Sequence, residues 1–366
     1  MNMDILNNLF VNIYLWLNDW IRGLMSGAGL ATYAVDFFAA LIMGLIVVIV
    51  LVAFAPFLTL TLTFMERKVV ARIQNRLGPN RLGPGGFFII FADMIKMLTK
   101  EDIVPTSADR LVHTLAPILA MVPITLILAV IPWGRGMTPV DLNIGILYVI
   151  ALSSLGTVAI FMAGWGSNNK FALMGGMRAV AQILSYEIPQ VLTIVVVVLM
   201  AGSLSLVKIV EAQGGWNGFR WFLFAFPVGP IAFIIFLISA VAEVNRTPFD
   251  LPEGESEIVA GHMTEYSGMK WGLFYMAEYL NLFVVCAIGA TLFLGGWQGP
   301  ILPPWVWFFA KTFALVFLAM WVRGTFPRLR MDQLMKFAWQ VLVPVALVNI
   351  VLTSLALPLI YQIFRS

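Results

Sequence analysis

The stretch Ala242–Ser267, AEVNRTPFDLPEGESEIVAGHMTEYS, holds Asp250, Glu253, Glu255, Glu257 and Glu265 in one connection between two apolar runs. Glu243 closes the run before it, and Glu278 lies inside the run after it. Glu253 and Glu257, four residues apart, would share a helix face, with Glu255 roughly opposite. Like charges at that spacing repel, and burial would raise at least one of them toward neutrality, where a carboxyl exchanges protons. A solvated acidic loop is the alternative reading of the same residues. Glu187, in RAVAQILSYEIPQVL, favours the first: it lies deep inside an apolar run, and Pro189 cannot donate the backbone hydrogen bond of a regular helix. A carboxylate at membrane depth is expensive and usually faces a polar cavity, a partner charge or a proton path. Together with Glu243 and Glu278, it points to an acidic series that leads into the apolar part of the chain.

Basic residues stand on the same side of the expected topology: Arg67, Arg72, Arg76, Arg246, Arg323, Arg328 and Arg330. They read as topology determinants or phosphate contacts, or, with the acids, as a partly buried ion-pair network lining a cavity. Arg246, beside Asn245, Thr247 and Asp250 and stiffened by Pro248 and Pro252, is the strongest member of such a network. His113 reads as an interfacial hydrogen-bonding residue. His262, inside the acidic stretch, is either a group titrating near neutral pH or a structural one. The single cysteine, Cys286, excludes an internal disulfide, a thiolate-held cluster and Cys-x-x-Cys chemistry. Two histidines cannot supply the paired axial ligands of a b-type haem, and no metal site is expected, so electrons, if involved, travel in another subunit.

The elements that must position these groups are membrane helices. Of 366 residues, 61% are hydrophobic and 11% charged, against about a quarter charged in soluble domains. Runs exceeding the roughly 20 residues that span a bilayer give an all-α, polytopic helical bundle. About eight spans are expected, at 34–64, 111–132, 144–165, 178–201, 227–243, 272–296, 304–325 and 336–361. Residues 1–35 form an N-terminal extension, with 5–25 expected as an interfacial helix and no signal-peptide pattern. Residues 36–366 form a single bundle.

Connections 66–110, 166–178, 244–271 and 323–336 carry most of the Lys and Arg, which places them in the cytoplasm and both termini outside. Within the first of them, GPNRLGPGG (78–86) reads as consecutive turns, and 87–102 as a surface helix carrying Asp93 and Lys96. The net charge of +3 is a topology signal here, and nucleic-acid binding is not expected. Membrane lipid is the expected surrounding.

Several longer motifs resemble a known family: ERKVVARIQNRLGPNRLGPGG (66–86), ADMIKMLTKED (92–102), SYEIP (185–189), AEVNRTPFDLPEGESEIVAG (242–261), TEYSGMK (264–270), MAEYLN (276–281) and RGTFPRLRMDQLMKFAW (323–339). The chain after about residue 36 is similar to the H-type membrane subunits of bacterial NADH:quinone oxidoreductase, respiratory complex I. The resemblance implies a subunit in the bacterial inner membrane, at the junction of the membrane and peripheral arms. There it would form much of the chamber where quinone is reduced, with iron–sulfur clusters, FMN and the NADH site in partner subunits. Chamber residues implied by the resemblance are Glu66, Arg67, Arg72, Arg76, Asp93, Lys96, Arg246, Phe249, Asp250 and Arg323. The implied proton path comprises Glu187, Glu243, Glu253, Glu255, Glu257, Glu265 and Glu278. Two positions depart from the family: Met331 stands where it often has Tyr, and His262 where many members have an aromatic residue. Alternative readings are the homologous subunit of a membrane-bound hydrogenase or related dehydrogenase, and a stand-alone secondary transporter, which many of its class would betray by an internal repeat not visible here.

Overall fold

Apolar runs of this length satisfy their backbone hydrogen bonds in lipid only by coiling into helices, and helices dominate the computed structural model, which describes residues 9–26, 32–215, 220–251 and 260–365. In order these are α1 (Leu9–Ser26), α2 (Thr32–Ile73), α3 (Ile89–Thr99), α4 (Arg110–Leu128), α5 (Gly145–Gly166), α6 (Lys170–Ala201) and α7 (Leu206–Ala212). After them come α8 (Val228–Glu243), α9 (Gly268–Phe293), α10 (Pro304–Thr325), α11 (Met331–Phe337) and α12 (Val343–Arg365). Among the described residues there is no β-strand, and seven helical stretches are long and apolar enough to cross a membrane. The chain is a multi-pass, all-α membrane bundle.

The fifth of the eight expected spans, 227–243, is the 16-residue α8, about 24 Å long at 1.5 Å per residue. It falls short of the roughly 30 Å hydrocarbon core. α2 departs the other way. It does not stop at Phe64 but continues through Glu66–Arg72 to Ile73, making 42 residues. No helix breaker interrupts that basic segment. The end comes where Asn75 takes a left-handed conformation (φ 53°): Arg76 N donates to Ala71 O and Asn75 N to Arg72 O, the bond pair of a Schellman C-cap. The charged side chains of this segment therefore hang from a rigid helix rather than from a loop.

α9 is the most enclosed of the long helices. Leu280, Phe283, Ala287, Ala290 and Phe293 are fully buried along it, and α2, α4, α8 and α10 pack around it. Its polar side chains are thereby presented to an interior. The expected N-terminal helix exists as α1, which lies along α2 with Ile21 buried against Ala39 and Met43, while Trp16 and Trp20 remain exposed. Between α11 and α12, residues Ala338–Leu342 form a wide π-helical turn. Beside it, Tyr186 donates to Leu334 O at 3.1 Å, and Trp339 Nε1 lies 3.3 Å from Ser185 Oγ.

Candidate functional site

At the end of α8 the chain reverses at Asn245, again left-handed (φ 53°), with Asn245 N donating to Ala242 O and Arg246 N to Val241 O. Gln182 of α6 holds this turn, its Nε2 donating to Ala242 O at 2.8 Å and to Asn245 Oδ1 at 3.0 Å. The reversal drives Arg246 inward to 4% exposure. Its Nη1 lies 3.2 Å from Glu66 Oε2 of α2, and its Nε lies 3.1 Å from Glu278 Oε1 of α9. The guanidinium carbon sits 4.2 Å above the Tyr279 ring, where the quadrupole of the ring favours a cation. Arg323 of α10 completes the group through Glu66. Two carboxylates and two guanidiniums thus join α2, α9, α10 and the post-α8 turn in a charge-balanced set. Arginine suits this place because its planar fork serves two carboxylates at once and stays charged.

Glu278 has a second neighbourhood. It lines a cavity of about 80 Å³ together with Glu243, Asn281, Thr157, Ser153 and His262. Gln190 and Asn281 are amide neighbours of Glu243, and the Glu187 carboxylate acts on it electrostatically. The three intramembrane glutamates expected as a series therefore fall in one region, with Glu278 joining the ion-pair group to the cavity. Burial pushes the His262 imidazole down to about 4, so it is neutral near pH 7.

A further cavity, of about 210 Å³, opens between α2, α3 and α9. Its walls are mainly apolar, including Pro56, Leu60, Ile90 and Trp271, with Arg67, Asp93 and Lys96 also in the lining. Arg67 Nη1 lies 2.7 Å from Asp93 Oδ2, and Lys96 Nζ 3.4 Å from Asp93 Oδ1. An apolar body with a few convergent polar groups is the usual make-up of a small-molecule site.

The remaining expected residues are distributed more widely. Phe249 is buried, its ring 5.2 Å from that of Tyr186. Asp250 lies 3.5 Å from Arg328 Nη2. Glu265 accepts from Asn169 Nδ2 at 2.6 Å, which ties the loop to the start of α6. Arg72 and Arg76 are exposed, the latter bonded to Gln74, and neither joins the ion-pair group. Glu253, Glu255 and Glu257 lie outside the described residues. Beside these, Tyr279, Gln182, Asn281 and Thr157 take part in the site without having been expected there. Gln182 carried a signal, being one of two amides, with Gln190, inside the span expected at 178–201; Tyr279 carried only its place next to Glu278.

The family profile described as NADH dehydrogenase matches residues 45–354. The chain belongs to the NADH dehydrogenase family. It is 52% identical over 310 residues to the H subunit of the NADH-quinone oxidoreductase of Dehalococcoides mccartyi strain CBDB1, a match covering 85% of this chain and 86% of that relative. The corresponding H subunit of Geobacillus kaustophilus is 51% identical over 318 residues, 85% of this chain and 92% of its own. That of Carboxydothermus hydrogenoformans is 44% identical over 362 residues, 98% of this chain and 99% of its own. Every residue of the ion-pair group and of both cavities falls inside the region matched by the NADH dehydrogenase family.

Proposed function

We propose that this chain is the H-type membrane subunit of a bacterial NADH-quinone oxidoreductase, binding quinone and coupling its reduction to proton translocation. It carries no redox centre of its own, and the NADH site, FMN and iron–sulfur clusters belong to partner subunits of the peripheral arm. It sits in the cytoplasmic membrane with both termini outside. Quinone passes through the cavity between α2, α3 and α9, where the Arg67–Asp93 pair offers polar contacts to its ring oxygens and the apolar walls take its tail.

The observation that carries this reading is the double membership of Glu278. It pairs with Arg246 at 3.1 Å and also lines the cavity that holds Glu243. A change of charge near quinone alters the pull of Arg246 on Glu278, and Glu278 passes that change on to Glu243 and Glu187. The energies are of the right size, since one elementary charge moved across 100 mV costs about 2.3 kcal/mol.

Glu278→Gln and Glu187→Gln, each made in the assembled complex, test the proposal. Expected is a strong loss of quinone-linked NADH oxidation and of proton pumping, while NADH oxidation by an artificial acceptor continues. Normal quinone activity and pumping in both variants would sink it.

A further inference from the structure

His262 is the one imidazole in the polar cavity, and the path described above has not used it. The ring is held there by backbone packing. Gly261, at φ +56°, lies against Gly175 of α6 so closely that a Cβ on Gly175 would meet Gly261 Cα at 2.5 Å. The turn Gly261–Met263 is thereby seated on α6, and the His262 side chain, 2% exposed, enters the bundle. It meets Phe274 edge-on, with ring centroids 5.6 Å apart. Its Nδ1 has no hydrogen-bond partner among the described residues, and the same holds for Thr157 Oγ1 and Glu243 Oε2. Three unsatisfied polar atoms on side chains that line one cavity are costly unless water completes them. The cavity, about 80 Å³, has room for several waters, since roughly 10–15 Å³ suffices for one.

We propose that this cavity is hydrated and that His262 is a proton-relaying residue within it, linking Glu278 and Glu243 through bound water. The inference rests on reading the glutamates as a proton path. The neutral imidazole accepts a proton from water at one ring nitrogen and releases the proton carried by the other nitrogen to the next water, so the ring ends neutral in the opposite tautomer. Proton exchange with the cavity water returns the ring to its first tautomer before the next transfer. Each element lining the cavity supplies its own groups: Glu243 from α8, Glu278 from α9, Ser153 and Thr157 from α5, and Asn245 from the turn, while α4 contributes only Ala120 and Ile124. Glu187 acts on Glu243 from α6.

The test uses the whole complex with His262→Phe, which keeps ring volume and removes both nitrogens, and His262→Gln, which keeps a donor and an acceptor. Expected for His262→Phe is a drop in pumping-coupled quinone reduction of about fivefold, below the roughly 10²-fold or more typical of a direct acid–base group because cavity water bypasses the ring. The solvent deuterium isotope effect should rise with it, and His262→Gln should retain more activity than the Phe variant. Infrared difference spectra should show the protonated carboxyl band assigned to Glu243, by its loss in Glu243→Gln, shifted in His262→Phe. An unshifted band with an unchanged isotope effect overturns the relay, even if activity falls through misassembly. Full activity of Glu243→Gln would instead remove the proton path itself, and the band shift would then decide only the hydration link.

Discussion

Replacing Arg246 by Met removes the cation that two carboxylates share. Glu66 keeps Arg323, whereas Glu278 loses the guanidinium at 3.1 Å, and Tyr279 loses the charge over its ring. Arg246 is 4% exposed, so water cannot replace it without opening the packing of α9 against its neighbours. Breaking a buried pair by deleting one partner costs about 3–5 kcal/mol, mainly because the other charge stays buried. Arg246→Lys keeps the charge but loses the two-sided fork, so its cost should be close to one charged hydrogen bond, about 1.5–3 kcal/mol. The double variant Arg246→Met with Glu278→Gln removes the stranded charge as well and should recover about 1–3 kcal/mol relative to additive losses. The assay is survival of the intact complex on native gels after a series of heat steps, with NADH oxidation by an artificial acceptor reporting on the peripheral arm. If the cost falls on the inactivation barrier, Arg246→Met should dissociate about 10²-fold faster or more. Parent-like survival of Arg246→Met, or strict additivity in the double variant, would refute the reasoning.

Two other outcomes are expected. Gly175→Ala should displace the Gly261–Met263 turn, because the new methyl meets backbone rather than a yielding side chain; overpacking of this kind costs about 1–3 kcal/mol. Hydrogen exchange across residues 260–267 should quicken in that variant and stay unchanged in Gly44→Ala, where nothing lies within 4 Å. Asp93→Asn should raise KM for a short-chain quinone about fivefold with little change in kcat, the modest size following from the partial exposure of the Arg67–Asp93 pair. A kcat effect alone would place the pair outside quinone binding.

The helices were largely legible because bilayer thickness imposes a length on apolar runs, and Glu187, Glu243 and Glu278 stood out because charge inside such runs is rare. The pairings among distant residues were not legible in the same way. Glu66, Arg246 and Arg323 meet across separations that no local period encodes, and only the packing of helices far apart in the chain brings them together. Glu66 and Arg67 show the point at its smallest scale. As neighbours in one motif they look alike, yet successive helix positions differ by about 100°, and they serve different places: Glu66 joins the Arg246 group, Arg67 the Asp93 cavity. Arg72 and Arg76 share the motif and face outward. Asn75 and Asn245 were unremarkable as letters, but each supplies the left-handed residue that ends a helix and aims the next arginine.

The wide turn at Ala338–Leu342 is a record of chain length. A π-turn holds one residue more than the regular helix around it, so deleting a single residue there would restore an unbroken α-helix from 331 onward. Because the extra residue is taken up within that turn, the chain before the deletion would keep nearly its present orientation relative to α12. The Leu334 carbonyl that receives Tyr186 would stay on the α6 side, and α11 would present nearly the same face to the bundle. In this part of the chain, loss of one residue is absorbed by the geometry of the turn itself, and what changes is the local backbone hydrogen bonding rather than the face shown to α6.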